Sequence, residues 1–314
     1  MSDGKRPTIN GWIILDKPLG LGSTHVVSAL KRALRDGGYA PTKKEMPKVG
    51  HGGTLDPLAT GVLPVALGEA TKLAGRMLDA SKIYVFTVRF GQQTDTLDLE
   101  GAEIATSDVR PTLAQIESVL PRFTGPIEQV PPAYSALKID GERAYDLARA
   151  GEEVVLKARS VTIFGLKPSH WDMPNDPAQR FDEITLSAHV SKGTYIRSLA
   201  RDIALALGTV GHVTMLRRVK AGPFTVESAI SLDKLAEVAM GRTLEEVILP
   251  LEAGLDGIPA LSLVSGEAGL LRQGRTLSGH SVDDGLYLAK DGDTPVALVR
   301  AHAGQLAVER GFNL

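Results

Sequence analysis

The stretch of this chain richest in chemical possibility runs from residue 48 to 64, Lys-Val-Gly-His-Gly-Gly-Thr-Leu-Asp-Pro-Leu-Ala-Thr-Gly-Val-Leu-Pro. Glycines at 50, 52, 53 and 61 let backbone approach a ligand closely. Asp56 stands before Pro57, which pushes it out of the helical region into an extended or turn conformation. A carboxylate held in a turn beside a strand can be aimed at a substrate; equally, it can bond only its own backbone. The glycines fit neither G-x-x-x-x-G-K-[ST] nor G-x-G-x-x-G, so the segment is not a phosphate loop. Tyr84, in Ser81-Lys-Ile-Tyr-Val-Phe, is a strand tyrosine, which is ordinarily core; the same ring can stack on a base or move a proton. In Lys192-Gly-Thr-Tyr-Ile-Arg-Ser198, strand spacing puts Tyr195 and Arg197 on one face. That arginine is either a surface residue or the partner of a buried carboxylate. His51 is one of 7 histidines, none in a metal-ligand pattern, so a turn histidine bonded to backbone is its simplest role.

These residues need elements to hold them. Gly11-Trp-Ile-Ile-Leu-Asp-Lys-Pro reads as a strand, followed by a glycine turn and a helix that Ser23 can cap. Val26, Val27, Leu30, Ala33 and Leu34 give that helix its apolar face. Residues 83–90 alternate, with Tyr84, Phe86, Val88 and Phe90 on one side, as do Ile184, Leu186, Ala188 and Val190; both read as strands. Thr112 and Gln115 form a capping box for a helix with Ile116, Val119, Leu120 and Phe123 inward. Val161 to Leu166 is another strand, residues 167–180 a loop, and residues 198–207 a helix stopped by Gly208. Ser231 caps a helix ending near Gly241. Residues 125–153 form a long mixed insertion. Beyond about 250, short apolar runs separated by Gly and Asp suggest a small β barrel or sandwich. The interleaving of strands and helices is not strictly βαβ, so an α+β fold is expected.

The 314 residues suffice for about two domains, expected at 1–249 and 250–314. A hydrophobic fraction of 43% with 23% charged residues argues against disorder. No run reaches the roughly 18 apolar residues of a membrane span, and the N-terminus lacks the apolar core of a signal peptide, so a cytoplasmic protein is expected. With no cysteine, disulfides, thiolate catalysis and cysteine-held metals are excluded. The net charge of −2 hides an asymmetry: residues 1–244 carry 30 Lys/Arg against 27 Asp/Glu, and residues 245–314 carry 5 against 10. A nucleic-acid partner follows local patches rather than this average.

Taken together, the motifs resemble the TruB-type tRNA pseudouridine synthase family, from about Gly11 to Gly222. They are Asp16-Lys-Pro, Gly50-His-Gly-Gly-Thr-Leu-Asp-Pro-Leu-Ala-Thr-Gly61, Gly68-Glu-Ala-Thr-Lys72 and Lys82-Ile-Tyr84. Then follow Gly91-Gln-Gln-Thr-Asp-Thr-Leu-Asp98, Pro131-Pro-Ala-Tyr-Ser-Ala-Leu-Lys138, Gly193-Thr-Tyr-Ile-Arg-Ser-Leu199 and Leu216-Arg-Arg218. The family usually has Thr where this chain has Gly52, which should loosen the turn. The resemblance implies a mixed, mainly antiparallel sheet flanked by helices, with a PUA-like barrel at the C-terminus and an RNA-clasping insertion at about 125–153.

The implied reaction converts uridine 55 of the tRNA T-arm to pseudouridine. The N1–C1′ bond breaks, the uracil turns, and C5 takes the place of N1, with no redox change and no cofactor or metal. The resemblance makes Asp56 the nucleophile or the group assisting base release, with Arg197 opposing the cost of burying its charge. Tyr84 is expected to stack on the uracil and help remove the C5 proton, and Tyr195 to pack against the flipped base. His51 would fill the space the base leaves. Lys17, Lys31, Arg32 and Lys72 are expected on phosphates, and Asp98 and Leu216 among the substrate contacts. A monomer acting on tRNA without an obligatory protein partner is expected. The alternative is an RNA-binding or tRNA-folding module in which catalysis is secondary.

Overall fold

The computed structural model describes residues 9–135, 137–139, 142–150, 156–169 and 176–314. The first half runs β1 (Gly11–Lys17), α1 (Ser23–Asp36), β2 (Val49–His51), β3 (Ala59–Leu67), α2 (Ala74–Asp79), β4 (Lys82–Phe90), β5 (Gln92–Thr94), β6 (Glu103–Thr106) and α3 (Leu113–Val119). It continues with β7 (Gly125–Gln129), β8 (Lys138–Ile139), β9 (Glu142–Arg143), α4 (Ala144–Arg149), β10 (Arg159–Pro168) and β11 (Glu183–Val190). Then come α5 (Ile196–Ala206), β12 (Gly211–Ala221), β13 (Phe224–Thr225) and α6 (Leu232–Gly241). The last stretch holds β14 (Ala260–Ser262), α7 (Glu267–Arg272), β15 (Leu277–Ser278), β16 (Gly285–Asp291), β17 (Thr294–His302) and β18 (Gln305–Gly311).

Nine strands build the main sheet, in the order β1-β3-β12-β4-β11-β10-β7, with β2 on β3 and β13 on β12. Only the β3–β12 pair is parallel among these; the sheet is mixed and mainly antiparallel, and the fold is α+β as expected. β1 is buried on both faces. Trp12 and Ile14 point into one core with Val62, Ala66 and Met77, while Ile13 and Leu15 point into another with Val26, Leu30 and Leu34 of α1 and Leu235 and Val238 of α6. The alternation of β4 and β11 puts Phe86, Val88, Phe90, Ile184, Leu186 and Ala188 under α3 and α5.

Several local expectations change. Ser23 does not cap α1; Gly22 holds that position, and the Ser23 hydroxyl instead donates to Leu55 O (3.1 Å) and accepts from Leu55 N (2.8 Å). The insertion expected from 125 begins inside the main sheet, because β7 pairs with β10 along its edge. Residues 136, 140, 141 and 151–153 of that insertion lie outside the described residues. β12 has no clean two-residue alternation, since the register slips twice, at 213/215 and 218/220.

The C-terminal strands form a five-stranded sheet, β14-β16-β17-β18-β15. Its end strands pair with β16 and β18, a curled half-barrel consistent with the small barrel expected there. One face packs α7 over Leu277, Val299 and Leu306. Leu288, Leu298 and Phe312 instead join the core around Trp12, Met77 and Phe224. Leu251 and Leu255 belong to the same core, and Trp12 Nε1 donates to Leu251 O at 3.0 Å. Among the described residues no helix is long and apolar enough to cross a membrane.

Candidate active site

The loop joining β2 to β3 carries Asp56, and four other segments close around it. Its turn is fixed by Ala59 N donating to Asp56 O at 3.0 Å. Backbone and side chain then hold it from three directions. Ser23 takes both polar groups of Leu55. The Lys17 ammonium donates to Pro57 O at 3.2 Å, and also to Pro18 O and Leu21 O. The Arg218 guanidinium donates to Gly53 O and Thr54 O. The Asp56 side chain is 45% exposed and opens onto a cleft of about 940 Å³. That lies toward the upper end of the roughly 300–1,000 Å³ of ligand pockets.

Arg197 provides the electrostatic centre. It sits in the first turn of α5, where a cation opposes the helix dipole. Two carboxylates offset that cost: Asp56 Oδ2 lies 2.9 Å from Nη2 and Asp98 Oδ2 lies 3.2 Å from Nη1. Nη1 also donates to Thr96 O and Nη2 to Tyr134 O. The arginine is 7% exposed, so its geometry is set from all sides. It does not share a strand face with Tyr195, as spacing suggested. β11 ends at Val190 and α5 begins at Ile196, leaving Tyr195 as the residue just outside the helix. Both still reach the cleft. Buried Gln129 fixes Tyr195 by reading its backbone twice, donating to its O (3.1 Å) and accepting from its N (2.8 Å).

Tyr84 and Leu216 also line the cleft, from neighbouring strands β4 and β12. Burial holds the Tyr195 phenol above its ordinary pKa. His51 is half-buried on β2 and is not among the cleft's lining residues. Burial pushes its imidazole below the ordinary value, and the Arg218 charge adds to that.

Two expected substrate contacts, Lys17 and Lys72, are placed otherwise, and a third, Asp98, lines the cleft with its carboxylate engaged by its neighbours. Lys17 is fully buried, with its donors spent on three carbonyls, so it anchors the loop rather than a phosphate. Burial, opposed by Asp56 and reinforced by Arg218, lowers its pKa to about 8. Lys72 is turned to the C-terminal sheet, donating to Gly311 O at 2.9 Å and pairing with Glu69. Asp98 is 6% exposed; besides Arg197 it accepts from Thr96 Oγ1 (2.6 Å) and Glu100 N (3.0 Å). Its carboxylate holds the arginine. Lys31 and Arg32 remain on the outer surface of α1.

Reading the sequence missed Arg218, Lys82 and Gln129 as parts of the site. Lys82, in the wall of the cleft, is buried and donates to Met77 O, Leu78 O and Ala80 O at the end of α2; burial lowers its pKa to about 8. Arg218 and Lys82 both lie in motifs that carried the resemblance, whereas no local pattern marks Gln129.

Two family models match the chain. Residues 42–196 match the TruB family pseudouridylate synthase N-terminal domain, and residues 197–256 match the tRNA pseudouridylate synthase B C-terminal domain. A tRNA pseudouridine synthase B of Novosphingobium aromaticivorans is 63% identical over 306 residues, 98% of either chain. The same-named protein of Zymomonas mobilis is 55% identical, covering 97% of this chain and 96% of its own. Among solved structures, one of an H/ACA ribonucleoprotein bound to a substrate RNA containing 2′-deoxyuridine superposes with a TM-score of 0.70 at 25% identity. That match covers 97% of this chain and 85% of the other.

Proposed function

The chain belongs to the TruB family of pseudouridylate synthases, isomerases that convert uridine in tRNA to pseudouridine, and from that premise we propose that it modifies uridine 55 of the T-arm. The observation that carries this reading is the Asp56 carboxylate, half-exposed at the cleft, with the buried Arg197 guanidinium 2.9 Å behind it. A carboxylate open to a flipped nucleotide on one side and paired with a guanidinium on the other is poised to assist breaking of the N1–C1′ bond. Extruding the base costs a few kcal/mol. Tyr195 and Leu216 flank the space it enters, and Tyr84 is the group we assign to stacking and to removal of the C5 proton. C5 then bonds C1′, and atoms balance without a cofactor. His51, at the entrance of the loop, would meet RNA around the flipped base rather than the base in the cleft. Contacts from the 125–153 insertion and from α1 through Lys31 and Arg32 complete the RNA surface in this reading. We further propose that the protein acts in the cytoplasm as a monomer, without an obligatory protein partner.

Rejoining through C5 must expel the hydrogen carried there. Tritium release from T-arm RNA labelled at uridine C5 therefore tests the reading. Stoichiometric release dependent on uridine 55 supports it. Binding without release would leave an RNA-binding module.

A further inference from the structure

We infer that Arg218 is a positioning residue for the reaction: it sets the Asp56 loop in register with the strand that carries Tyr84. This rests on the proposed role of Asp56. Arg218 is 1% exposed, and each of its three guanidinium nitrogens donates to a backbone carbonyl. Nε donates to Val62 O at 2.7 Å, Nη1 to Thr54 O at 3.3 Å and Nη2 to Gly53 O at 3.1 Å. One rigid plane thus ties the start of the Asp56 loop to the strand that follows it. Among the described residues no carboxylate pairs with it. A buried charge held only by carbonyl dipoles is costly, and a neutral residue of the same shape would fill the space at less cost. The three-way hydrogen-bonding fork is what the site gains in exchange.

Its place in the sheet is as informative as its bonds. On β12 it is the register partner of Gly61 on one side and of Tyr84 on the other. The β-bulge at 218/220 begins there, a device that re-aims a side chain. The loop is shaped to meet it. Gly61, at φ +102°, would put a Cβ 2.2 Å from Arg218 O, and Gly53, at φ +131°, lies against Nη1. Arg218 thereby touches the Asp56 loop from a strand lying next to Tyr84.

The test separates rate from binding. Arg218→Met and Arg218→Lys are measured for single-turnover tritium release and for affinity to a T-arm stem-loop, beside Asp56→Asn. Loss of register by about an ångström costs on the order of 100-fold in rate. Arg218→Met should therefore fall about 100-fold in single-turnover rate while RNA affinity stays within about threefold. Arg218→Lys keeps the charge without the fork and should recover part of the rate. A folded variant with near-parental rate, or equal losses in rate and affinity, overturns the inference. So does failure of both variants to fold, since Arg218 would then be a stability residue. Parental activity in Asp56→Asn would instead overturn the reading of the site itself, whatever Arg218 does.

Discussion

At the scale of single residues, the division of labour around Arg197 decides what each substitution should do. Asp56→Asn keeps the shape and removes the charge, so isomerisation should vanish while tRNA affinity stays within about tenfold, or about 1.4 kcal/mol. Filter binding beside tritium release checks this. Removing the arginine strands a different carboxylate. Asp56 can turn to water, but Asp98, with a side chain 8% exposed, cannot. Arg197→Met should therefore cost about 3–5 kcal/mol of stability, the usual penalty for an orphaned buried charge. Adding Asp98→Leu should restore much of the stability and none of the activity, as read by denaturant unfolding and by turnover. Lys17 gives the pH signature. Its folded pKa, about 8, lies below the ordinary 10.5. Between those values the unfolded chain holds a proton that the fold does not, so stability rises with pH across that window. Lys17→Met should lose up to about 3 kcal/mol of the parent's rise between pH 7 and 10.5, at about 1.4 kcal/mol per unit.

At the scale of elements, the Asp56 loop and α2 are packed against each other through a position without a side chain. A Cβ on Gly52 would lie 2.5 Å from Met77 Cβ. Gly52 does not loosen the turn; it makes room for Met77, and its N–H donates to Pro64 O at 2.8 Å. Gly52→Thr should thus be destabilising by about 1–3 kcal/mol through overpacking. Pairing it with Met77→Gly, which removes the clashing Cβ, should relieve part of that cost, which a double-mutant cycle of unfolding free energies measures.

At the scale of the whole molecule, the two sheets share a core, and that governs where the chain can be cut. Ending it at 250 would remove Leu251 and Leu255 from Trp12 and expose the face that also receives Leu288, Leu298 and Phe312. Because Leu251, Leu255 and Ile258 all pack in that core, we propose the division after residue 258. A chain ending there should keep more secondary structure and T-arm turnover than one ending at 250, with weaker binding to full tRNA than the parent. Circular dichroism and tritium release compare the two. Salt separates the surface cations. Charge reversal at Lys31 and Arg32 should reduce the slope of log affinity against log salt by about 0.9 per lost phosphate contact on duplex-like RNA. The same change at Lys72, which faces Gly311, should leave the slope alone.

What the sequence determined by itself was what local chemistry can carry. The alternation of Tyr84 to Phe90 and of Ile184 to Val190, the Thr112–Gln115 capping box and the Ser231 cap all appear in the fold. Each depends on neighbours a few residues away. The order of motifs identified the family and marked Asp56, Tyr84 and Arg197. What only the tertiary structure decided was which groups those residues face. Asp56 and Arg197 are 141 positions apart and meet because α5 packs on β12, whose parallel partner β3 is the strand the Asp56 loop runs into. Ser23 reads as a cap and Lys17 as a phosphate contact only while Leu55 and Pro57 are out of view. β12 itself, central to the sheet, escaped the sequence because its two bulges erase the period on which a strand is read. Burial then settled the rest. An arginine, a lysine or an aspartate turned inward must spend its polar atoms on whatever the fold places nearby, and that inventory is written in no local stretch of the chain.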